Sequence, residues 1–365
     1  MTDITEQLNS LAKVSENYFL SKLTTFKIGG PAKYLIEVKD TSNLSAIFKI
    51  LKDSNISHYI LGGGANVLAS DEGFQGAIIK IVSKEWSLIK ESENDVLVQV
   101  DAGLDWDDFV ALTVDNNWWG AENMSYIPGS VGGAVAVSAG AYGQQVSDFV
   151  RKVNVYDIAN DEYISFTPEQ CEFKYRSTIF NSSKENQYII LSVNFELNKA
   201  GKANINYPDL IKYFADKNIA NPNISEIREA LHYIRFNKLP DYNTIGSAGS
   251  FFRNVYLPKD EMQMFMDRVA KHFGNDLKDE AEIICNKFSG EEGCKIPTGF
   301  ILDKLLDLKG KEMGGAKVYD KQALVIINNN NATAKDVIML VSYIKQQVRD
   351  KLNIQLQEEV KYLGF

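Results

Sequence analysis

Two patterns of apolar positions alternate along the first half of the chain. Short apolar or alternating runs predict strands, whereas apolar residues spaced three and four apart predict helices. Leu44, Ile47 and Leu51 have the helical spacing. We therefore predict helices at residues 42–54 and 105–117. The predicted strands comprise residues 33–38, 58–64, 77–82, 96–103, 150–157, 162–166 and 187–197.

The second half of the chain is dominated by helical spacing. Residues 225–236 are predicted to form a helix that Ser225 caps, because serine oxygens accept hydrogen bonds from free N–H groups at helix starts. Arg228, His232 and Arg235 lie off its apolar stripe. The other predicted elements are helices around residues 260–288 and within 298–308, two short strands within 315–328, and a final strand at 354–365.

A long helix is predicted near the end of the chain. Thr333 and Asp336 have the spacing of a capping box, in which two side chains bind the first backbone N–H groups. Val337, Val341 and Ile344 follow at helical spacing. These signals predict a helix over residues 334–352.

Composition and charge limit the class of protein. Of the 365 residues, 45% are hydrophobic and 24% are charged, as is typical of a globular protein large enough for more than one domain. The net charge of −9 argues against broad binding to nucleic acid or to an anionic membrane. Neither a signal peptide nor a membrane-spanning run is evident, so we expect a cytoplasmic protein without membrane insertion.

The cysteines and histidines suggest neither a disulfide framework nor a metal centre. The cysteines are odd in number and no two are close in sequence, which predicts free thiols in a reducing compartment. The histidines do not have metal-ligand spacing, so we expect no metal site. These residues are Cys171, Cys285, Cys294, His58, His232 and His272.

Two glycine clusters are candidates for phosphate binding. They lie within residues 61–70 and 127–136, where successive backbone N–H groups can converge on an anion. Neither cluster matches the G-x-G-x-x-G fingerprint or the P-loop. Two such clusters in one domain of strands and helices suggest a ligand whose pyrophosphate is bound from two sides. Tight turns are the alternative explanation.

The stretch IGSAGSFFRN, residues 245–254, places a hydroxyl among very small residues. Small residues allow the backbone to approach another molecule closely, and Phe251 and Phe252 provide apolar anchors. The stretch therefore suggests that Ser250 is a hydroxyl held on a rigid support. An ordinary turn rich in glycine and serine is the alternative.

Several motifs together resemble one enzyme family. In chain order they are LTTFKIGGPAKYL, ILGGGANVL, YIPGSVGGAVAVSAGAYG, FKYRSTIF, KLPDYNTIGSAGSFFRN, KIPTGFILDKLLDLKG, GGAKVYDKQALVIINNNNATAKDV and LQEEVKYLG. This set resembles the UDP-N-acetylenolpyruvoylglucosamine reductases of bacterial peptidoglycan synthesis. The resemblance extends from about residue 23 to residue 364. Residues 258–292 depart from it as an insertion.

The resemblance implies an α+β fold with two domains. Residues 1–22 would be an N-terminal segment, and residues 23–200 an FAD-binding domain of the vanillyl-alcohol-oxidase (PCMH) type with two subdomains. Residues 201–365 would bind a UDP-sugar, and their final strand would return to the active site. Within this family, Tyr207 in NINYPDL suggests the form that carries a mobile tyrosine loop. We expect a monomer.

The resemblance also implies the reaction and its catalytic residues. Non-covalent FAD, reduced by NADPH, would transfer a hydride from N5 to C3 of UDP-N-acetylglucosamine enolpyruvate. Ser250 would then donate a proton to C2, giving UDP-N-acetylmuramate. Arg176 would stabilise the enolate-like charge, and Glu359 would assist if it is protonated or shares a proton.

Binding residues follow from the same match. Substrate contacts are expected at Tyr175, Tyr207, Lys238 and Asn254. FAD contacts are expected in the two glycine loops, at Gly62, Gly63, Gly64, Ala65, Asn66, Val67, Ile127, Pro128, Gly129, Ser130, Val131 and Gly132.

Three other functions fit parts of the pattern. An oxygen-using FAD oxidase of a sugar or alcohol could have the same flavin fold, although many of these tether FAD through His or Cys and the second glycine cluster contains neither. A UDP-sugar sensor without catalytic activity would not need Arg176, Ser250 and Glu359 together. A nicotinamide-only dehydrogenase lacks its expected fingerprint here.

Overall fold

The computed structural model describes residues 4–365 of the chain. Contacts divide it into two compact units. The first contains the described residues up to Phe19, together with Pro31–Gly64 and Phe74–Asn237. The second contains Leu20–Gly30, Ala65–Gly73 and Lys238–Phe365. This division falls between Asn237 and Lys238, which differs from the predicted domain boundary at residue 200.

The helices are, in chain order, α1 Ile4–Asn9, α2 Leu44–Asp53, α3 Trp106–Asp115, α4 Val131–Ala136, α5 Pro208–Lys217, α6 Ile224–Lys238, α7 Lys259–Phe273, α8 Asn275–Lys287, α9 Thr298–Phe300 and α10 Ala334–Leu352. The strands are β1 Lys13–Phe19, β2 Pro31–Val38, β3 His58–Ile60, β4 Val67–Ala69, β5 Phe74–Ile81, β6 Trp86–Glu91, β7 Asp95–Asp101, β8 Gly140–Ala141, β9 Gln144–Gln145, β10 Val150–Asp157, β11 Glu162–Phe166, β12 Tyr188–Asn198, β13 Gly246–Ser250, β14 Val255–Pro258, β15 Gly293–Ile296, β16 Glu312–Met313, β17 Ala316–Val318, β18 Val325–Asn328 and β19 Lys361–Leu363.

Two sheets form the first unit. One has the order β1-β2-β5-β3, with β2 and β3 both parallel to β5, and the amphipathic helix α2 packs against it. The other is antiparallel, in the order β11-β10-β12-β7-β6. Trp106, Phe109 and Phe195 are fully buried in the core that α3 forms with this second sheet. The two sheets have different main apolar clusters, although Tyr156 and Ile189 of the second sheet also join the cluster of the first.

Helices α5 and α6 explain why the first unit extends to residue 237. Leu210 and Phe214 of α5 pack against Ile227 and Leu231 of α6 in one buried cluster. Trp119, which lies earlier in the first unit, packs against the same cluster. Burial of this apolar surface joins the segment to the flavin-domain part of the sequence.

The start of α6 differs from the prediction. The helix begins at Ile224, and Asn223 rather than Ser225 occupies the capping position. The Asn223 side chain accepts a hydrogen bond from the Glu226 N–H, and the Glu226 carboxylate accepts one from the Asn223 N–H. This reciprocal pair satisfies two N–H groups that the helix leaves free.

The second unit is built around α10. The predicted bounds of this helix and its cap are confirmed: Thr333 accepts from the Asp336 N–H, and Asp336 accepts from the Thr333 N–H. The apolar face of α10 joins a core that includes Phe251 and Phe252, and the sheet β13-β18-β17-β16 contributes to the same core. Of the predicted final strand, only Lys361–Leu363 forms a strand, and it pairs in parallel with β4.

Residues 258–292 form a helical hairpin. Pairing of β14 with β15 closes its base, and α7 and α8 pack on each other and on the core of the second unit. Cys285 and Cys294 form a disulfide with their Cα atoms 5.4 Å apart, so the prediction of three free thiols is wrong for this pair. The hairpin brings together two residues that are nine apart in sequence. Cys171 is a free, buried thiol.

Candidate functional site

The two glycine loops meet in the first unit. A Cβ atom at Gly63 would lie 2.4 Å from the Gly129 Cα and 2.8 Å from the Ser130 N, so the two backbones are in direct contact. A Cβ atom at Gly62 would lie 3.1 Å from the Ser130 Oγ. Any larger residue at position 63 would have to push the loops apart. Glycine is therefore required here for close approach.

The second glycine loop is held by backbone hydrogen bonds. Val131 N–H donates to the Leu104 carbonyl and Gly132 N–H to the Ala102 carbonyl, both at 2.9 Å. Its Ser130 side chain accepts from the Gly133 N–H and caps α4. The loop is thus fixed by the chain that leads into α3.

The geometry of the loops fits a diphosphate such as that of FAD. Among residues 4–365, the backbone N–H groups of Gly62, Gly63 and Gly64 donate to no protein acceptor, and the same is true of Gly129 and Ser130. Backbone N–H groups that line a concave, glycine-lined surface are a common way to bind phosphate oxygens. Of the predicted FAD residues, Gly62 to Gly64, Gly129 and Ser130 therefore suit this ligand, whereas the Val131 and Gly132 N–H groups are bound within the protein.

Lys80 supports the first loop, and the sequence analysis did not identify it. Its Nζ donates a 2.7 Å hydrogen bond to the Gly62 carbonyl oxygen. Burial lowers the pKa of Lys80 below its ordinary value of 10.5, and the Glu37 carboxylate opposes that shift. The available signal was a charged residue inside the apolar run of β5, since buried lysines are rare without a partner.

The end of the first loop belongs to the second unit and contacts the C-terminal segment. The Asn66 side chain donates to the Glu359 carbonyl oxygen at 3.0 Å. The Lys361 N–H donates to the Asn66 carbonyl oxygen at 2.9 Å. The structure therefore joins two predicted site residues, Asn66 and Glu359, that lie 293 positions apart.

Ser250 lies at the end of β13, not in an ordinary turn. It pairs with Val325 of β18 after a register shift that follows Ser247. Gly249 has φ +69°, a conformation that glycine adopts without strain. The Phe251 and Phe252 side chains are buried, at 1% and 2% exposure, so the strand end has rigid support.

Ser247, the other serine of GSAGS, is buried, and its backbone is hydrogen-bonded within the protein. It is 5% exposed, its N–H donates to the Thr25 carbonyl, and its carbonyl accepts from the Thr25 hydroxyl. Ser250 is partly exposed. Only Ser250 of the two has a side chain open to a ligand.

The backbone of Glu359 contacts the residue that follows Ser250 in the second unit. The Glu359 N–H donates to the Phe251 carbonyl at 2.8 Å, and Phe252 and Glu358 form an isolated antiparallel bridge. The C-terminal segment therefore runs alongside the residues that follow Ser250. The structure thus brings together the two backbone segments that carry these predicted catalytic residues.

Arg176 and Tyr175 lie at a tight corner in the first unit. Lys174 and Ser177 exchange backbone hydrogen bonds of 2.8 and 3.1 Å across the corner. Arg176 has φ +55°, and the Asn181 amide donates to its carbonyl oxygen at 3.2 Å. The Arg176 guanidinium lies 5.8 Å from the centre of the half-exposed Tyr175 ring.

The remaining substrate candidates are divided between the units. Tyr207 precedes α5 in the first unit, and its partly exposed ring meets Tyr142 edge to face at 5.0 Å. Lys238 ends α6, and Asn254 accepts a hydrogen bond from the Thr298 N–H at 3.1 Å. Lys238 and Asn254 belong to the second unit, as Ser250 does.

The described residues contain neither a metal-binding cluster nor a helix that could span a membrane. Within residues 4–365, no group of three or more His, Cys, Asp and Glu side chains is arranged to hold a metal ion. No helix in this range has both the length and the apolar composition to span a membrane.

Comparison with known proteins identifies both parts of the chain. The family profile described as "UDP-N-acetylenolpyruvoylglucosamine reductase, C-terminal domain" matches residues 240–363. The profile described as "FAD binding domain" matches residues 32–167. The predicted α+β fold, an FAD-binding domain followed by a second domain, is confirmed.

Full-length relatives support the same assignment. The UDP-N-acetylenolpyruvoylglucosamine reductase of Flavobacterium johnsoniae is 34% identical over 96% of this chain and 100% of its own length. That of Photobacterium profundum is 32% identical over 96% of both chains. The crystal structure of the Thermus caldophilus enzyme has the same fold, with a TM-score of 0.63 at 21% identity over 96% of this chain and 98% of its own. The chain therefore belongs to the UDP-N-acetylenolpyruvoylglucosamine reductase family.

Proposed function

We propose that the protein is a cytoplasmic, monomeric oxidoreductase that uses FAD and NADPH to reduce UDP-N-acetylglucosamine enolpyruvate to UDP-N-acetylmuramate, a peptidoglycan precursor. Family membership supports the reaction class. The single observation that supports the chemistry is the backbone hydrogen bond from the Glu359 N–H to the carbonyl of Phe251, the residue after Ser250.

FAD is held by the two glycine loops in this proposal. Gly62 to Gly64 and Gly129 with Ser130 bind its diphosphate through backbone N–H groups, while Lys80 fixes the first loop. Asn66 and Val67 connect the loop to the C-terminal strand. When bound and reduced by NADPH, FAD would supply the hydride needed at C3 of the enolpyruvyl group.

Ser250 donates the proton to C2. A hydroxyl is a weak acid, but the enolate-like carbon is a strong base, so a neutral donor suffices if it is held within hydrogen-bond reach. The bulged strand end and the two buried phenylalanines give Ser250 a fixed position. Rigid support of this kind is what general acid catalysis needs.

Arg176 and Glu359 act on the charge that develops during hydride addition. The planar guanidinium of Arg176 suits the substrate carboxylate, to which it can donate two hydrogen bonds. Glu359 assists in its protonated form, because an ionised side chain would repel that carboxylate. Fixed groups that stabilise developing charge are commonly the largest contribution to catalysis.

The UDP part of the substrate binds to the remaining candidates. Lys238 and Asn254 supply donors for the diphosphate, and the exposed Tyr207 hydroxyl donates to the nucleotide. Tyr175, stacked near Arg176, lines the site between flavin and substrate. These roles follow the family pattern and the exposure of the side chains.

The visible spectrum of the purified protein tests this function. We expect a yellow protein that NADPH bleaches under anaerobic conditions and that UDP-N-acetylglucosamine enolpyruvate re-oxidises. Acid precipitation should leave the flavin in the supernatant. A flavin that oxygen re-oxidises rapidly and the enolpyruvyl substrate does not would instead indicate an oxidase.

A further inference from the structure

Three polar residues on α6 meet at a single tyrosine of the first unit. Arg228, His232 and Arg235 lie on α6 to one side of its apolar stripe, and all three contact Tyr126. Tyr126 is the residue immediately before the second glycine loop, 127–132. The conformation of Tyr126 therefore sets the direction in which the chain enters that loop.

Each part of Tyr126 is held by a different group. Its N–H donates to the Asp107 carboxylate at 2.5 Å, and its carbonyl accepts from the Arg235 Nε at 3.2 Å. The Arg228 guanidinium lies 4.5 Å from the ring centre, and the His232 ring lies 4.6 Å from it. Backbone and ring are therefore fixed at the same time.

Arg228 and Asp107 form a bidentate ion pair. Arg228 Nη1 and Nη2 donate to the two Asp107 oxygens at 2.7 and 2.9 Å. Both side chains are largely buried, at 17% and 15% exposure. A planar fork paired with a carboxylate fixes direction as well as distance. The pair thus fixes the carboxylate that binds the Tyr126 N–H.

The backbone of Tyr126 needs such support. Its φ of +60° lies in the left-handed region, which non-glycine residues seldom occupy. Without the surrounding contacts, the chain at this point would relax toward ordinary dihedral angles. The conformation of the residue that enters the loop therefore depends on the groups around it.

From these contacts we propose that Asp107, Arg228 and Arg235 are positioning residues, which hold Tyr126 in its left-handed conformation and so set the second glycine loop for the FAD diphosphate. The proposal rests on the proposed function, because it takes that loop as part of the FAD site. None of the three residues contacts the flavin in this account. They act through Tyr126, whose backbone continues directly into Ile127 and Pro128.

The apolar packing that holds α6 in place is separate from its polar contacts to Tyr126. The apolar face of α6 packs on α5 through Ile227 and Leu231, independently of the polar face. A variant that removes the polar contacts should therefore keep the helix in place. Such a variant should lose the fixed backbone conformation of Tyr126, the residue that precedes the second glycine loop.

FAD release from the full-length holoenzyme tests the proposal. On dilution, free flavin becomes fluorescent, which gives the Kd of the wild type and of Arg228→Met, Asp107→Asn and Arg228→Lys. We expect Arg228→Met and Asp107→Asn each to weaken FAD binding about tenfold, the usual effect of losing a hydrogen bond to a charged group. Their double variant should be little worse than either one, and Arg228→Lys should recover part of the loss.

The control is Arg151→Met, which breaks an exposed ion pair with Glu196 in the same unit. It should leave the Kd for FAD unchanged. A Kd within twofold of wild type for Arg228→Met would overturn the proposal, as would an equal loss in Arg151→Met. If Arg228→Met does not fold, Arg228→Lys tests the proposal instead. A wild-type Kd for FAD in Arg228→Lys would show that the bidentate pair is unnecessary and would overturn the proposal. A wild type that holds FAD but does not reduce the enolpyruvyl substrate would refute the proposed function and leave this inference standing.

Discussion

The backbone N–H of Glu359 donates a hydrogen bond to the carbonyl oxygen of Phe251, the residue after Ser250. Main-chain atoms therefore set the register between the segments that carry the proposed proton donor and the proposed carboxylic acid. Substitution of either side chain leaves this bond in place. Each role can thus be tested without displacing the other residue.

Ser250→Ala should separate the two half-reactions. Flavin reduction by NADPH precedes any need for a proton at C2, so we expect its rate to stay near wild type. Re-oxidation by the enolpyruvyl substrate should slow by at least about 10²–10⁴-fold, the usual contribution of a placed proton donor. Rapid-mixing absorbance of the flavin measures both rates, and equal slowing of both would make the serine structural. Ser247→Ala is not a suitable control, because that hydroxyl is buried in a packed core.

Glu359→Gln should retain more activity than Glu359→Asp. Glutamine keeps a neutral donor of the same reach, whereas aspartate is shorter and ionises more readily. The rate of flavin re-oxidation, with NADPH reduction as the internal control, measures the difference. Higher activity in the aspartate variant would show that the group acts as an anion.

Tyr207→Phe should weaken binding of the UDP-sugar and spare flavin reduction. The ring contact with Tyr142 survives in phenylalanine, so the substitution removes only the hydroxyl. A hydrogen bond to a charged group contributes about 1.5–3 kcal/mol. Calorimetry should show this loss for Tyr207→Phe and none for Tyr163→Phe, another exposed tyrosine of the same unit. Equal affinity in the wild type and Tyr207→Phe would remove Tyr207 from the site.

His58 should make stability depend on pH near neutrality. Burial lowers its pKa from the ordinary value of 6.5, and the bond to the Asn186 carbonyl opposes this only partly. The unfolded chain therefore binds a proton at higher pH than the fold does. The contribution of neutral His58 is complete above pH 6.5 and is lost as the pH falls through the folded pKa. Urea unfolding at pH 8 and pH 5 should show a smaller decrease in His58→Gln than in wild type, and an equal decrease would contradict this account.

Thiol titration should distinguish the three cysteines. Cys171 is fully buried, and burial raises the pKa of its thiol to about 12, so a disulfide reagent at pH 8 should not react with the native protein. Unfolding without reductant should expose one thiol, and unfolding after reduction should expose three, because Cys285 and Cys294 are paired. Three reactive thiols before reduction would show that the pair is not formed.

Local signals in the sequence predicted the long elements well. Helix α10 has a capping box, a regular apolar stripe and a length of 19 residues, all of which can be read from neighbouring positions. Strands β10 and β11 have the predicted bounds for the same reason. Strand β6 is not among the predicted elements: Trp86, Leu88 and Ile89 are apolar but neither alternate nor form a continuous run, and all six residues of the strand are exposed.

Elements defined by distant partners could not be predicted in this way. GSAGS contains none of the residues that favour strands, and it becomes β13 only because β18 lies beside it. The contact between Asn66 and Glu359 joins residues 293 positions apart, and only the family resemblance suggested a shared site for them. The contacts of Tyr126 were missed for the same reason, although the spacing of Arg228, His232 and Arg235 had marked a polar face on α6.

The discontinuous second unit has a consequence for synthesis in the cell. Its segments Leu20–Gly30 and Ala65–Gly73 leave the ribosome before Lys238–Phe365 exists. At about 5–20 residues per second, the roughly 160 residues between Gly73 and Lys238 take on the order of ten to thirty seconds to translate. During that interval Phe26, Ile28 and Leu68, which end up buried, lack the partners in their core cluster that Lys238–Phe365 supplies. These two short segments are therefore where a chaperone would be expected to bind the growing polypeptide.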